Sequence, residues 1–347
     1  MFNRLQDVST IDRSQIEAIL AKGDRPIIQF SVPGYSSDLL RQIDVACAEF
    51  GPRLEVRFYS HHRTGFDASC LALLPNAASL SVDCLGAAKN VDALFGLPRL
   101  QRLSLGIFDL DRPDILARLT VDSLEELFLC ETRKADIDLS SLVRCRSLHR
   151  LHISGHTRGF DTLAALHSVS ELSLRSIPKK QSLAAVNDMS GLRALTIVLG
   201  GRANIDDIKH PELTGLDVVW VRGLETIGSL ARFHKLQRLR VEDQLQLRSV
   251  ELATAPTSLS HLTIFNCKNL QSLGSIADLS GLIDLRIGRT SLDFEALLRS
   301  GLPRSLQSVA LYSGRKKADD IMRSRLDALG YVEFTRPTDR PDKPLPI

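Results

Sequence analysis

One spacing governs what this chain can fold into. In Leu259 to Gly281, LSHLTIFNCKNLQSLGSIADLSG, apolar residues stand at offsets 1, 4 and 6 (Leu259, Leu262 and Ile264), and the count restarts at Leu282. The same offsets return every 21 to 24 residues. They run from Ala77/Leu80/Val82 through Leu100/Leu103/Leu105, Leu148/Leu151/Ile153, Leu192/Leu195/Ile197 and Leu236/Leu239/Val241 to Leu306/Val309/Leu311. A unit this short cannot enclose its own apolar side, so it must stack on neighbours of the same kind. Offsets 4 and 6 alternate as in a strand with one buried face, which turns offsets 3, 5 and 7 to the other side. About 12 to 15 residues then remain for the return, enough for a short helix or 3₁₀ turn.

The flanks read differently. Ser14 and Glu17 have capping-box spacing ahead of Ile16, Ile19 and Leu20, with Gly23 as a stop, so a short helix is expected before the repeats. Arg25–Phe30 reads as a strand, and a helix with Leu40, Ile43, Cys47 and Phe50 on one face follows a Ser36 or Ser37 cap. Leu54–Ser60 reads as a second strand, completing a right-handed β-α-β step. After Leu311, SGRKKADDIMRSRLDALG predicts a closing helix with Ile321, Leu326 and Leu329 among its apolar residues, and Tyr331–Phe334 a last strand. The tail TRPTDRPDKPLPI holds four prolines and is expected to be disordered. The organisation expected is thus a helical cap and first repeat over 1–52, repeats over 53–314, a closing cap over 315–334, and a tail over 335–347.

These triplets resemble the leucine-rich repeat family, and their length is similar to its short bacterial, internalin-like class. The resemblance covers roughly residues 53 to 314. It implies an α/β solenoid, or horseshoe, with one long parallel sheet on the concave face and short helices or turns on the convex face. The family carries Asn or Cys at offset 9, where the side chain bonds turn backbone. Here that slot holds Phe108, Thr132, His156, Ile177, Gly200, Val221, Gln244, Cys267 and Thr290, so less uniform turns are expected.

Composition narrows the function. A formal charge of +3, with Lys and Arg dispersed among Asp and Glu, gives no electrostatic case for nucleic acid. The N-terminus lacks an apolar run of signal-peptide length and no run reaches a membrane span, so a cytoplasmic protein without membrane contact is expected. Six cysteines without a C-x-x-C pair read as free thiols. No phosphate-binding loop, H-E-x-x-H or G-x-S-x-G occurs, and no catalytic, cofactor or metal site is expected. His149, His152 and His156 fall at offsets 2, 5 and 9, which sends their rings apart rather than to one metal. His61 and His62 read as loop residues.

The outward face is the candidate site. Offset 3 alternates Arg102, Glu126, Arg150 and Glu171, a ladder of opposite charges. It then turns small at Ala194 and Gly215, while offsets 7 and 8 supply Val198, Leu199, Val219 and Trp220, the chain's single tryptophan. Phe265 and Tyr312 continue the column, with Arg238, Arg240, Glu242 and Asp243 as a polar rim. Apolar residues on a wet face mark contact surfaces, and Trp and Tyr are favoured anchors. The function expected is a non-enzymatic, monomeric scaffold that captures a protein, with a toxin blocked by a bacterial immunity or antitoxin protein as the preferred case. One alternative is an effector delivered into another cell; a second is an enzyme using His152, Asp217 or Arg240.

Overall fold

The computed structural model describes residues 2–61, 65–120 and 122–332. The chain forms two compact units, Met1–Leu192 and Arg193–Ile347, a division the repeat period does not reveal. In the first, eight strands lie side by side in chain order, all parallel: Phe2–Gln6, Arg25–Phe30, Glu55–Ser60, Ser79–Cys84, Arg102–Leu105, Glu126–Leu129, Arg150–Ser154 and Glu171–Arg175. Among the described residues the second has six: Ala194–Val198, Gly215–Val219, Arg238–Glu242, His261–Phe265, Asp284–Gly288 and Ser308–Tyr312.

Register follows the apolar triplets. Leu216 sits beside Leu195 and Leu239, Val218 beside Ile197 and Val241, and every member of every triplet is in the core. A fully buried Leu contributes about 1.5–3 kcal/mol, so a one-residue slip would put all of them in water. The return segments are the expected short turns, 3₁₀ at Ala68–Leu73, Leu139–Arg144 and Phe160–Ala165 in the first unit and at Leu230–Arg232 in the second.

The N-terminal end differs from expectation in two ways. Residues 2–6 are a strand paired with Arg25–Phe30, so the β-α-β step begins one strand earlier than the sequence suggests. The helix Arg13–Ala21 is capped by Asp12, whose Oδ1 accepts from the Gln15 N–H at 3.2 Å; Ser14 donates to that carboxylate instead of capping. Asp12, two positions earlier and just outside the helix, meets the free N–H groups, which Ser14, already inside the helix, cannot do. The second helix, Ser37–Phe50, has the expected Ser36 cap and buries Leu40, Ile43, Cys47 and Phe50. Its Asp44 also takes the Asn76 backbone and side-chain N–H groups at 2.8 and 2.7 Å, tying helix to repeat.

The closing helix, Lys316–Ala328, buries only Leu326; Ile321 and Leu329, expected among its apolar contacts, are exposed. Met322, four residues before Leu326 on the same helical face, is half-buried. Val332 bridges Ser308, while residues 333–334 of the expected last strand and the proline-rich tail lie outside the described residues, as does His62. No helix among the described residues is long and apolar enough to cross a membrane. All six cysteines are free, and burial pushes the Cys47 and Cys84 thiols up to about 12.

Candidate functional site

The sheet face of the second unit is built by three consecutive backbone features. Offset 7 ends each strand; offset 8 turns the chain with positive φ; offset 9 plugs inward. At offset 8, φ is 58° at Leu199, 52° at Trp220, 58° at Asp243, 54° at Asn266 and 52° at Arg289. The turn demands this, because each of these N–H groups donates to the offset-7 carbonyl of the next repeat, Trp220 to Glu242 at 2.9 Å and Asn266 to Gly288 at 2.9 Å. Asp and Asn tolerate this left-handed region, whereas for bulky side chains it costs about 1–2 kcal/mol. Leu199 and Trp220 therefore occupy a slot that stability would fill otherwise.

Register brings the predicted anchors into two clusters. Val198 pairs with Val219, with Leu199 and Trp220 one residue on; Phe265 pairs with Gly288, which pairs with Tyr312. Glu242 stands between Val219 and Phe265. Trp220 is 51% exposed, while Val198, Leu199, Val219, Phe265 and Tyr312 are half-buried. The Phe265 ring lies across Gly288, where a Cβ would come within 2.6 Å of Cε2, and the Arg289 guanidinium sits 5.6 Å from the ring centre. Glycine at 288 thus leaves the room that lets an aromatic ring rest on the sheet.

The arginines of the face are engaged. Arg238 lies along Gly215 and reaches Asp217 at 3.5 Å, Arg240 pairs with Glu242, and Arg286 holds Asp284 through Nε and Nη2 at 3.0 and 2.8 Å. Of the three residues considered for catalysis, Asp217 is 7% exposed against Arg238, Arg240 is spent on Glu242, and His152 Nδ1 is 3.0 Å from Ser173 Oγ. Burial, then the Arg175 charge, pulls the His152 pKa down to about 4, which leaves it a weak base. Sequence reasoning missed Leu245, which is 58% exposed, and the exposed cations Arg222 and Lys268. The signal was available, since all three stand at offset 10 of consecutive repeats.

In the first unit the offset-3 ladder closes on itself. Glu126 is 5% exposed and lies 3.1 Å from Arg102 and 3.7 Å from Arg150, which continues to Glu171 at 2.8 Å. His149, His152 and His156 meet separate partners: His149 approaches Glu126, His152 meets Ser173, and His156 Nε2 is 2.9 Å from the Cys130 carbonyl. Among the described residues no group of three or more His, Cys, Asp or Glu side chains is placed to hold a metal.

The offset-9 slot explains how the turns survive without an Asn ladder. Gln244 Nε2 donates to Val218 O and Glu242 O at 3.2 and 2.7 Å, and Cys267 Sγ lies 3.8 and 3.5 Å from Val241 O and Phe265 O. His156 accepts from the Ile137 N–H, and His61, buried rather than a simple loop residue, has Nδ1 2.7 Å from Tyr59 O. Three side-chain types do one job. Val221 and Ile177 fill the slot with apolar bulk.

No family model and no curated protein matches the sequence. Solved structures do. An internalin (InlF) of Listeria monocytogenes superposes with a TM-score of 0.52 at 17% identity, over 82% of this chain and 78% of that one. Internalin C2 of the same organism gives 0.39 at 20% identity, over 63% and 82%. A chain of the mouse RP105/MD-1 complex gives 0.49 at 15%, over 98% and 67%.

Proposed function

We propose, from the leucine-rich repeat fold of internalin-like type that this chain adopts, that it is a non-enzymatic scaffold whose sheet face captures a protein partner. One observation carries this reading: Trp220 is kept half in water and in a left-handed backbone slot, where neither burial nor turn geometry favours it. Strain retained at an exposed apolar residue fits a contact surface. The mechanism is steric. Trp220, Val219, Val198, Leu199, Phe265 and Tyr312 supply apolar contact, and Arg238 and Arg240, fixed by their carboxylates, define orientation without offering free charge.

Occlusion asks only for shape and anchors, so the role that goes with it is an immunity or antitoxin protein that blocks a toxin in the cytoplasm as a monomer. The test compares capture from native extract by the wild-type chain and by Trp220→Ala/Val219→Ser/Phe265→Ala, with circular dichroism on both. Loss of the captured protein at an unchanged unfolding midpoint supports the reading; equal capture removes the patch from it.

A further inference from the structure

Two sets of cations in the second unit differ in how they are paired. On the sheet face the guanidiniums of Arg238, Arg240 and Arg286 have carboxylates in their own or the adjacent strand. At three positions just past the strand ends that pairing is missing. Arg222, Lys268 and Arg289 are exposed, and none has a carboxylate within ion-pair distance among the described residues. Arg222 and Lys268 share offset 10 with Leu245, which stands between them on the intervening repeat, three residues past the paired Val219, Glu242 and Phe265. Arg289 joins this edge from offset 8, over the Phe265 ring. The exposed apolar side chains here are Trp220 and Leu245.

Charge on the sheet face is neutralised internally, so a ligand that sought it would have to break existing pairs. The turn edge, by contrast, offers unspent positive charge next to apolar surface. We infer that the partner presents an acidic segment whose apolar side chains cover Trp220 and Leu245 while its carboxylates reach Arg222, Lys268 and Arg289. This rests on the scaffold role and narrows it, moving the centre of contact from the middle of the sheet to the strand ends. A protein segment suits this edge better than a nucleic acid. Asp243, held by the Asn266 amide, puts a carboxylate among the cations, and Leu245 offers no stacking plane.

The test uses Trp220, the single tryptophan, as its own reporter. The full chain is titrated with a short peptide alternating Asp and Glu with Leu and Phe, with its counterpart carrying Lys at the acidic positions, and with a single-stranded oligonucleotide. The acidic peptide is expected to shift the emission to the blue and to bind about tenfold tighter than the basic one, more weakly as salt rises. Arg222→Glu/Lys268→Glu/Arg289→Glu should invert that preference at unchanged circular dichroism. Equal or reversed preference in the wild type overturns the acidic partner while leaving the docking face standing. No response to either peptide overturns both, and tightest binding of the oligonucleotide assigns the edge to nucleic acid instead.

Discussion

Mild acid should loosen the first unit, and His152 sets the size of the effect. Its ring lies 6.2 Å from Phe128 and is bonded to Ser173, and burial followed by Arg175 lowers its pKa to about 4. Unfolded, the same imidazole titrates near 6.5. A base with a depressed folded pKa favours the folded chain fully above the unfolded value, and the advantage is lost as pH falls from there toward the folded value. Linkage between about pH 7 and about pH 5 then removes about 2 kcal/mol for this residue alone. Burial lowers His156 and His61 as well, so they add to the loss. Asp67, held low by Asn90, and Asp138, held low by Ser140, titrate further down and do not add to it. The assay is urea unfolding by far-ultraviolet circular dichroism at both pH values, for wild type and His152→Asn, which can still bond Ser173. The variant should lose about 2 kcal/mol less than the wild type on acidification. Identical losses in the two proteins, or a wild type indifferent to pH, would refute the argument.

Gln244→Leu should destabilise the second unit by about 1–2 kcal/mol, since Val218 O loses its Gln244 donor and Glu242 O keeps only the Trp220 N–H; Gln244→Cys, imitating Cys267, should restore part of this in the same urea experiment. Gly281→Ala would set a Cβ 1.9 Å from Thr257 O, so a loss above about 3 kcal/mol is expected, whereas Gly96→Ala, with nothing within 4 Å, should be nearly silent. Glu126→Ala should cost about 2 kcal/mol, because Arg102 and Arg150 lose a buried partner, while Glu171→Ala, at the exposed end of the ladder, should cost less than about 1 kcal/mol in thermal or chemical melts.

What was legible in the sequence was whatever repeats. Leu262 and Ile264 declare their register because ten further copies agree with them, and the parallel sheet follows. The strand at Phe2–Gln6 was not legible, since it has no preceding copy and shows itself only through pairing with Arg25–Phe30. Ser14 misled because capping-box spacing does not say which residue has left the helix, and Asp12 had the better position. At the site, the offset-7 column was readable from period alone. The left-handed φ at Trp220 was not, because Asp243 and Asn266, which advertise such a turn, occupy other copies of the slot. The closing helix shows the limit from the other side: Ile321 and Leu326 look equivalent in sequence, yet only Leu326 meets the last repeat.

The offset-9 bonds make the stack divisible. Gln244 reaches Val218 and Glu242, and Cys267 reaches Val241 and Phe265, the same two backbone positions counted back from each plug. Excising residues 236–258 would therefore hand Cys267 the carbonyl that Gln244 now uses, and the seam would close on matching partners. A gene for such a chain can lose or gain a module of this length by unequal recombination with the plug bonds at this joint re-formed. The row of turn-edge side chains is then lengthened or shortened in steps, and recognition can evolve by editing module number and offsets 7, 8 and 10 while the plugs stay where they are.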